Sequence, residues 1–210
     1  MIEKSSPIQK APHEMRGAES IVREAIRASI ETKQQLSRDC LEDIVNVART
    51  IEGALQKGRK VVFFGNGGSA ADAQHISAEL VGKFKKIRPP LRASALTTNA
   101  SVLTAIGNDF GFDEIFSRQV RSILEADDVA VGISTSGRSA NVIKGVQEAR
   151  RVGAKTIALT GSGGGQLAAL CDQRVIVPSS DTQRIQECHI MIGHIVCELI
   201  DETLENTRPG

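Results

Sequence analysis

A chain of 210 residues is long enough to bury one sizeable core and too short for two typical domains joined by a linker. Its 26 Lys and Arg against 25 Asp and Glu leave a formal charge of +1, so no long-range field marks a nucleic-acid or anionic-membrane partner, and any anion must be held locally. Aromatic residues at 3%, with neither Trp nor Tyr, argue against a base-stacking platform and leave an aliphatic core.

Residues 1–17 mix charges with Pro and hold no apolar run, which reads as a mobile tail and not as a secretory signal. No stretch approaches the roughly 20 apolar residues that span a bilayer, and the expected location is the cytoplasm. Residues 18–210 form the single expected domain. From Ala18 to Leu55, apolar residues recur every three or four positions, through Ile21, Ala25, Ile26 and Ile30, then Leu41, Ile44, Val45, Ala48 and Ile51. That periodicity predicts two amphipathic helices, or one long bent one, with Ser37 a candidate cap for the second.

After Lys60 the pattern changes to short apolar runs, at Val61 to Phe64, Ala93 to Leu96, Val129 to Ile133, Thr156 to Leu159 and Val175 to Val177. Each is closed by Gly, Ser, Thr, Asn or Pro and followed by a helical stretch. Such alternation predicts an α/β fold, a doubly wound five-stranded parallel sheet flanked by helices, with the N-terminal helices added as an extension. A last helix is expected from Thr182 to Leu204, long enough to pack against another subunit as well. Cys40, Cys171, Cys188 and Cys197 form no CxxC pair and read as core thiols.

In an open parallel sheet, ligands bind beyond the carboxyl ends of the strands. At the first such end stand Asn66, Gly67, Gly68 and Ser69, where Gly permits tight turns and close backbone approach. Gly65, Gly67 and Ala70 also fit a GxGxxA dinucleotide fingerprint. The next strand, however, ends on Thr97, Thr98 and Asn99 in place of an acidic ribose ligand, and no nucleotide is expected. Ser134, Thr135, Ser136 and Ser139 place four hydroxyls within six residues at the start of a helix. Hydroxyls and free helix-terminal N–H groups make an uncharged cradle suited to a phosphate monoester. The second Gly-rich turn, Gly161 to Gly165, lacks those hydroxyls and reads as structural.

His75 and Glu79 stand four apart and share a helix face, a spacing that serves a metal clamp, an acid–base pair or an ordinary surface pair. On the last helix Gln186 and His194, eight apart, return to within about 80° of each other yet stand about 12 Å apart along the axis. His189 reads as a solvated or interface histidine.

The blocks GNGGSAADAQHISAEL, AIGNDFGFDEIF, ISTSGRSANV and RIQECHIMIGH, in that order, closely resemble the SIS-domain phosphoheptose isomerases, also called sedoheptulose 7-phosphate isomerases. The resemblance implies a flavodoxin-like SIS fold and a cytoplasmic homotetramer with active sites near its interfaces. It also implies conversion of D-sedoheptulose 7-phosphate to D-glycero-D-manno-heptose 7-phosphate, a step toward the heptose of lipopolysaccharide. By position, the family's metal ligands fall on His75, Glu79, Gln186 and His194, with one zinc ion per subunit. Its sugar-phosphate contacts fall on Asn66, Gly67, Gly68, Ser69, Glu79, Asn108, Asp109, Ser134, Thr135, Ser136, Ser139 and Gln186, and its acid and base on Glu79 and His194. Two positions depart from the pattern: Lys83 stands where relatives often have Arg, and Gln183 where some have Asp. A rival reading is a non-catalytic SIS protein of the replication-initiator-associating kind, which lacks the acid and base.

Overall fold

The structure, a computed structural model, describes residues 12–161 and 163–206. The chain opens on two helices, α1 (Pro12–Asp39) and α2 (Leu41–Gln56). They part at Cys40, whose φ of −123° leaves the helical region. Ser37 caps neither, since its Oγ donates back to the Gln34 carbonyl at 2.9 Å. Helix α1 begins six residues ahead of the expected Ala18, on a Pro, which the first turn tolerates because its N–H would be unpaired anyway. Residues 1–11 of the expected tail lie outside the described residues.

Five strands follow: β1 (Val61–Gly65), β2 (Ala93–Ala95), β3 (Val129–Ser134), β4 (Lys155–Thr160) and β5 (Gln173–Ile176). They pair in the order β2-β1-β3-β4-β5, every pair parallel. Between them run α3 (Gly68–Val81), α4 (Ala100–Phe110), a 3-10 turn Phe112–Glu114, α5 (Ser117–Ile123), α6 (Ala140–Arg151) and α7 (Gly165–Leu170), with α8 (Thr182–Asn206) last.

Alternate residues of the central strands feed two cores. Val61, Phe63, Val131, Ile133 and Leu159 face a layer built from Ile44 and Ile51 of α2, Ile76 and Leu80 of α3, and Ile185, Ile192 and Val196 of α8. Val62, Phe64, Ala130 and Ala158 face Val120 of α5, Val142 and Val146 of α6, and Leu167 of α7. This double covering is why the strands read as unbroken apolar runs. Each large aliphatic side chain so buried contributes about 1.5–3 kcal/mol of transfer free energy. All four cysteines are free and buried, as expected.

Among the described residues, the outer faces of α1 and α4 stay uncovered. On α1, Ile21, Val22, Ile26 and Ile30 are all more than half exposed, and α4 has no buried residue. The sheet order places β2 and β3 on opposite sides of β1, so the chain changes direction there. The crevice beyond the ends of β1 and β3 is the switch point where such sheets bind ligands.

Candidate functional site

Both predicted loops meet at that crevice. Asn66, Gly67, Gly68 and Ser69 lead into α3, and Ser134 to Ser139 lead into α6. They are bolted together by a residue the sequence did not single out. Asn66 Nδ2 donates to Asn141 Oδ1 at 2.8 Å, and Asn141 Nδ2 donates back to Asn66 Oδ1 at 2.9 Å. Asn141 Oδ1 also accepts the Val142 N–H at 2.9 Å, and the residue is 2% exposed. Within the second loop the Ser134 and Ser139 hydroxyls lie 3.0 Å apart, and Ser136 Oγ accepts the Arg138 N–H.

Gly137 holds φ at +63°, and a Cβ there would fall 2.0 Å from the Gly164 carbonyl oxygen. The Gly161 N–H donates to the Thr135 carbonyl, and the Leu167 N–H to that of Gly137. The second Gly-rich turn therefore buttresses the hydroxyl loop, in keeping with a structural role. The result is a rim of uncharged donors where α3 and α6 begin, each with N–H groups unpaired inside its own helix.

Helices α3 and α8 run side by side in the same sense. A Cβ on Gly68 would meet Gln186 Nε2 at 2.4 Å, and one on Gly193 would meet Ile76 Cδ1 at 2.5 Å. This pairing sorts the four expected ligands. His75 Nε2 lies 3.2 Å from His194 Nε2 and 3.3 Å from Glu79 Oε1, and donor atoms of the three residues all fall within 4.8 Å of one another. Phe84 stacks on the His194 ring, with centroids 5.5 Å apart and 19° between planes. Gln186 packs against Gly68, at the start of α3 and beside the donor rim, while His75, Glu79 and His194 gather further along.

Asn108 and Asp109 are exposed at the end of α4, where Asn108 Nδ2 donates to Asp109 Oδ1 at 2.8 Å. Lys83 is exposed just past α3, and the Gln183 N–H is received by Asp181 in the first turn of α8. Asp72, one turn before His75, went unnoticed in the sequence. Burial lifts its carboxyl to about 6 against an opposing pull from His75, and its Oδ2 has no hydrogen-bond partner among the described residues. His189 corrects an expectation. It is neither solvated nor at a surface but fully buried, and burial pushes its imidazole down to about 4.

Residues 25–161 match the family model of the SIS domain. A phosphoheptose isomerase of Aquifex aeolicus is 56% identical over 181 residues, spanning 86% of this chain and 95% of its own. Among solved structures, a phosphoheptose isomerase from Neisseria gonorrhoeae superposes with a TM-score of 0.84 at 46% identity, covering 88% of this chain and 99% of that one. One from Francisella tularensis gives 0.86 at 37% identity, with 88% and 98% covered.

Proposed function

The chain belongs to the SIS-domain family of phosphoheptose isomerases, and from that membership we propose that it converts D-sedoheptulose 7-phosphate to D-glycero-D-manno-heptose 7-phosphate. One observation carries the reading. The donor atoms of Glu79 and His194, from different helices, converge beside His75, which stands about two turns of α3 past the rim at Gly68, a rim fit to hold a phosphate. Two turns amount to about 10 Å, and with C–C bonds of about 1.5 Å an extended seven-carbon monophosphate has that reach.

Ketose and aldose differ by the position of one carbonyl. A base takes a proton from C1 while an acid protonates the oxygen on C2, giving an enediol; the first proton then returns at C2 as the oxygen on C1 gives up its own. We assign the carbon-bound proton to Glu79 and the oxygen-bound ones to His194, both general acid–base types. Asn66, Gly67, Gly68, Ser69, Ser134, Thr135, Ser136 and Ser139 hold the phosphate, with Gln186 beside them. A non-catalytic SIS protein has no use for such a convergence.

Two imidazoles and a carboxylate with donor atoms within 4.8 Å suit zinc. We infer that His75, Glu79 and His194 hold one ion per subunit, with Gln186, two turns back along α8 from His194, as the remaining expected ligand. A zinc ion there would supply Lewis acidity to the carbonyl. The bare faces of α1 and α4 support a homotetramer in which Asn108 and Asp109 approach a neighbour's site. No described helix is long and apolar enough to cross a membrane, and a cytoplasmic role in supplying lipopolysaccharide heptose fits the reading. Lys83, a point charge where relatives often carry a planar guanidinium, loosens any two-pronged contact there.

The test is to supply sedoheptulose 7-phosphate in deuterium oxide. The aldose formed should carry deuterium at C2, five- and six-carbon ketose phosphates should react poorly, and Glu79→Gln should yield no product. Equal product from Glu79→Gln removes that residue from the mechanism.

A further inference from the structure

Glu79 stands in the last turn of α3, where the final carbonyls lack partners within the helix, and that turn carries no basic residue. The missing cation arrives from beyond the helix. Arg88 Nη2 donates to the Glu79 carbonyl at 2.9 Å, and its Nη1 to the Leu80 carbonyl at 2.8 Å. Its Nε binds Asp201 Oδ1 at 2.6 Å, the two side chains being 5% and 1% exposed. Asp201 Oδ2 accepts the backbone N–H groups of Lys85 and Lys86, at 2.9 and 3.1 Å. Burial alone would raise the Asp201 carboxyl, but these partners outweigh it and hold the group below the usual range.

Asp201 follows His194 on α8 by seven residues, about two turns, and so shares its face. One ion pair thus ties the end of the helix bearing His75 and Glu79 to the helix bearing His194. It also pins the segment 82–88, from which Phe84 stacks on the His194 ring. Stability alone is a weak reason for such a pair, because a buried salt bridge often does no better than an apolar pair of the same volume.

We propose that Arg88 and Asp201 are positioning residues for the isomerisation: without touching substrate, they set where the Glu79 carboxylate stands relative to the His194 imidazole. The proposal rests on Glu79 and His194 being the acid and base.

The experiment compares Arg88→Lys and Asp201→Asn with wild type and with Glu79→Gln, at a temperature where circular dichroism shows each folded. Lysine keeps the charge but, as a point donor, cannot serve two carbonyls and a carboxylate together. Both variants should lose about ten- to a hundredfold in kcat, the scale of a misplaced catalytic group, with KM within about twofold of wild type because the phosphate rim lies at the far end of α3. In proton–carbon spectra the His75 and His194 ring signals should move while that of His189 stays. Wild-type kcat with unmoved ring signals overturns the proposal. So does activity that falls only in step with the folded fraction, or failure of both variants to fold, since a purely structural clamp behaves that way. If Glu79→Gln retains full activity, the acid–base assignment has failed instead, and the ring signals still report whether the pair positions His75 and His194.

Discussion

Replacing Asn141 by Ala removes at one stroke the reciprocal amide pair with Asn66 and the acceptor for the Val142 N–H. Each such bond contributes about 0.5–1.5 kcal/mol net, and orphaned groups cost about 1–3 kcal/mol where water cannot reach them. Asn66 is partly exposed, so water recovers some of its loss, and we expect a destabilisation of about 2–3 kcal/mol. For a chain of this size that lowers Tm by about 5–10 °C. The larger effect should be on binding. Asn66, no longer held across the crevice, loses its fixed donor direction, and KM for the sugar phosphate should rise about tenfold, or about 1.4 kcal/mol. The turnover number should change little, since Glu79 stands about three turns further along α3 and His194 on α8. Asn141→Asp is the sharper comparison. Its carboxylate can still accept from Asn66 Nδ2 and Val142 but cannot donate to Asn66 Oδ1, and it brings a negative charge to the proposed phosphate site. KM should therefore rise further. Urea melts and initial rates against substrate concentration measure both effects. An Asn141→Ala protein with KM within twofold and an unchanged urea midpoint refutes the bridge as the device that holds the rim.

Gly137→Ala should be far more harmful than its size suggests, costing at least about 2 kcal/mol, because its Cβ would meet backbone at 2.0 Å in a left-handed residue; normal phosphate-ester binding by this variant would contradict the packing described. His189 gives a pH signature. Its imidazole is held down to about 4 in the folded chain against about 6.5 unfolded, so its contribution is complete above pH 6.5 and is lost as pH falls toward 4, up to about 3 kcal/mol. His189→Leu should flatten that part of the urea-stability profile, and a slope identical to wild type would place the titration elsewhere. Zinc at a hundred times its Kd should stabilise the protein by about 2.7 kcal/mol, read as a rise in Tm that chelator reverses and that His75→Gln abolishes; a shift persisting in His75→Gln would put the ion at another site.

What was legible in the sequence is what has a short-range signature. Val61 to Phe64 and Val129 to Ile133 sit in strands buried on both faces, so they read as apolar runs, and the turns closing them read as Gly and hydroxyl residues. The four-residue spacing of His75 and Glu79 likewise follows from the helix itself. Asn141 was not legible, because its partner lies 75 positions away and a polar residue near a helix start looks like any solvated one. Arg88 and Asp201 were hidden for the same reason: charge reads as surface until a partner 113 residues distant is known. His189 did leave a trace. It falls in step with Ile185, Ile192 and Val196 on the buried stripe of α8, a periodicity that outweighs the polarity of one imidazole. The separation of Gln186 from His194 was implicit in the axial rise of a helix, and the fold preserves it.

In the proposed reading, the Gly68 end of the phosphate rim and Glu79 stand at the two ends of one covalent rod, α3, and the neighbouring α8 brings His194 alongside. The spacing along α3 is therefore set by the rise of the helix. On that reading the rod measures a substrate as a fixed gauge measures a bolt, by length.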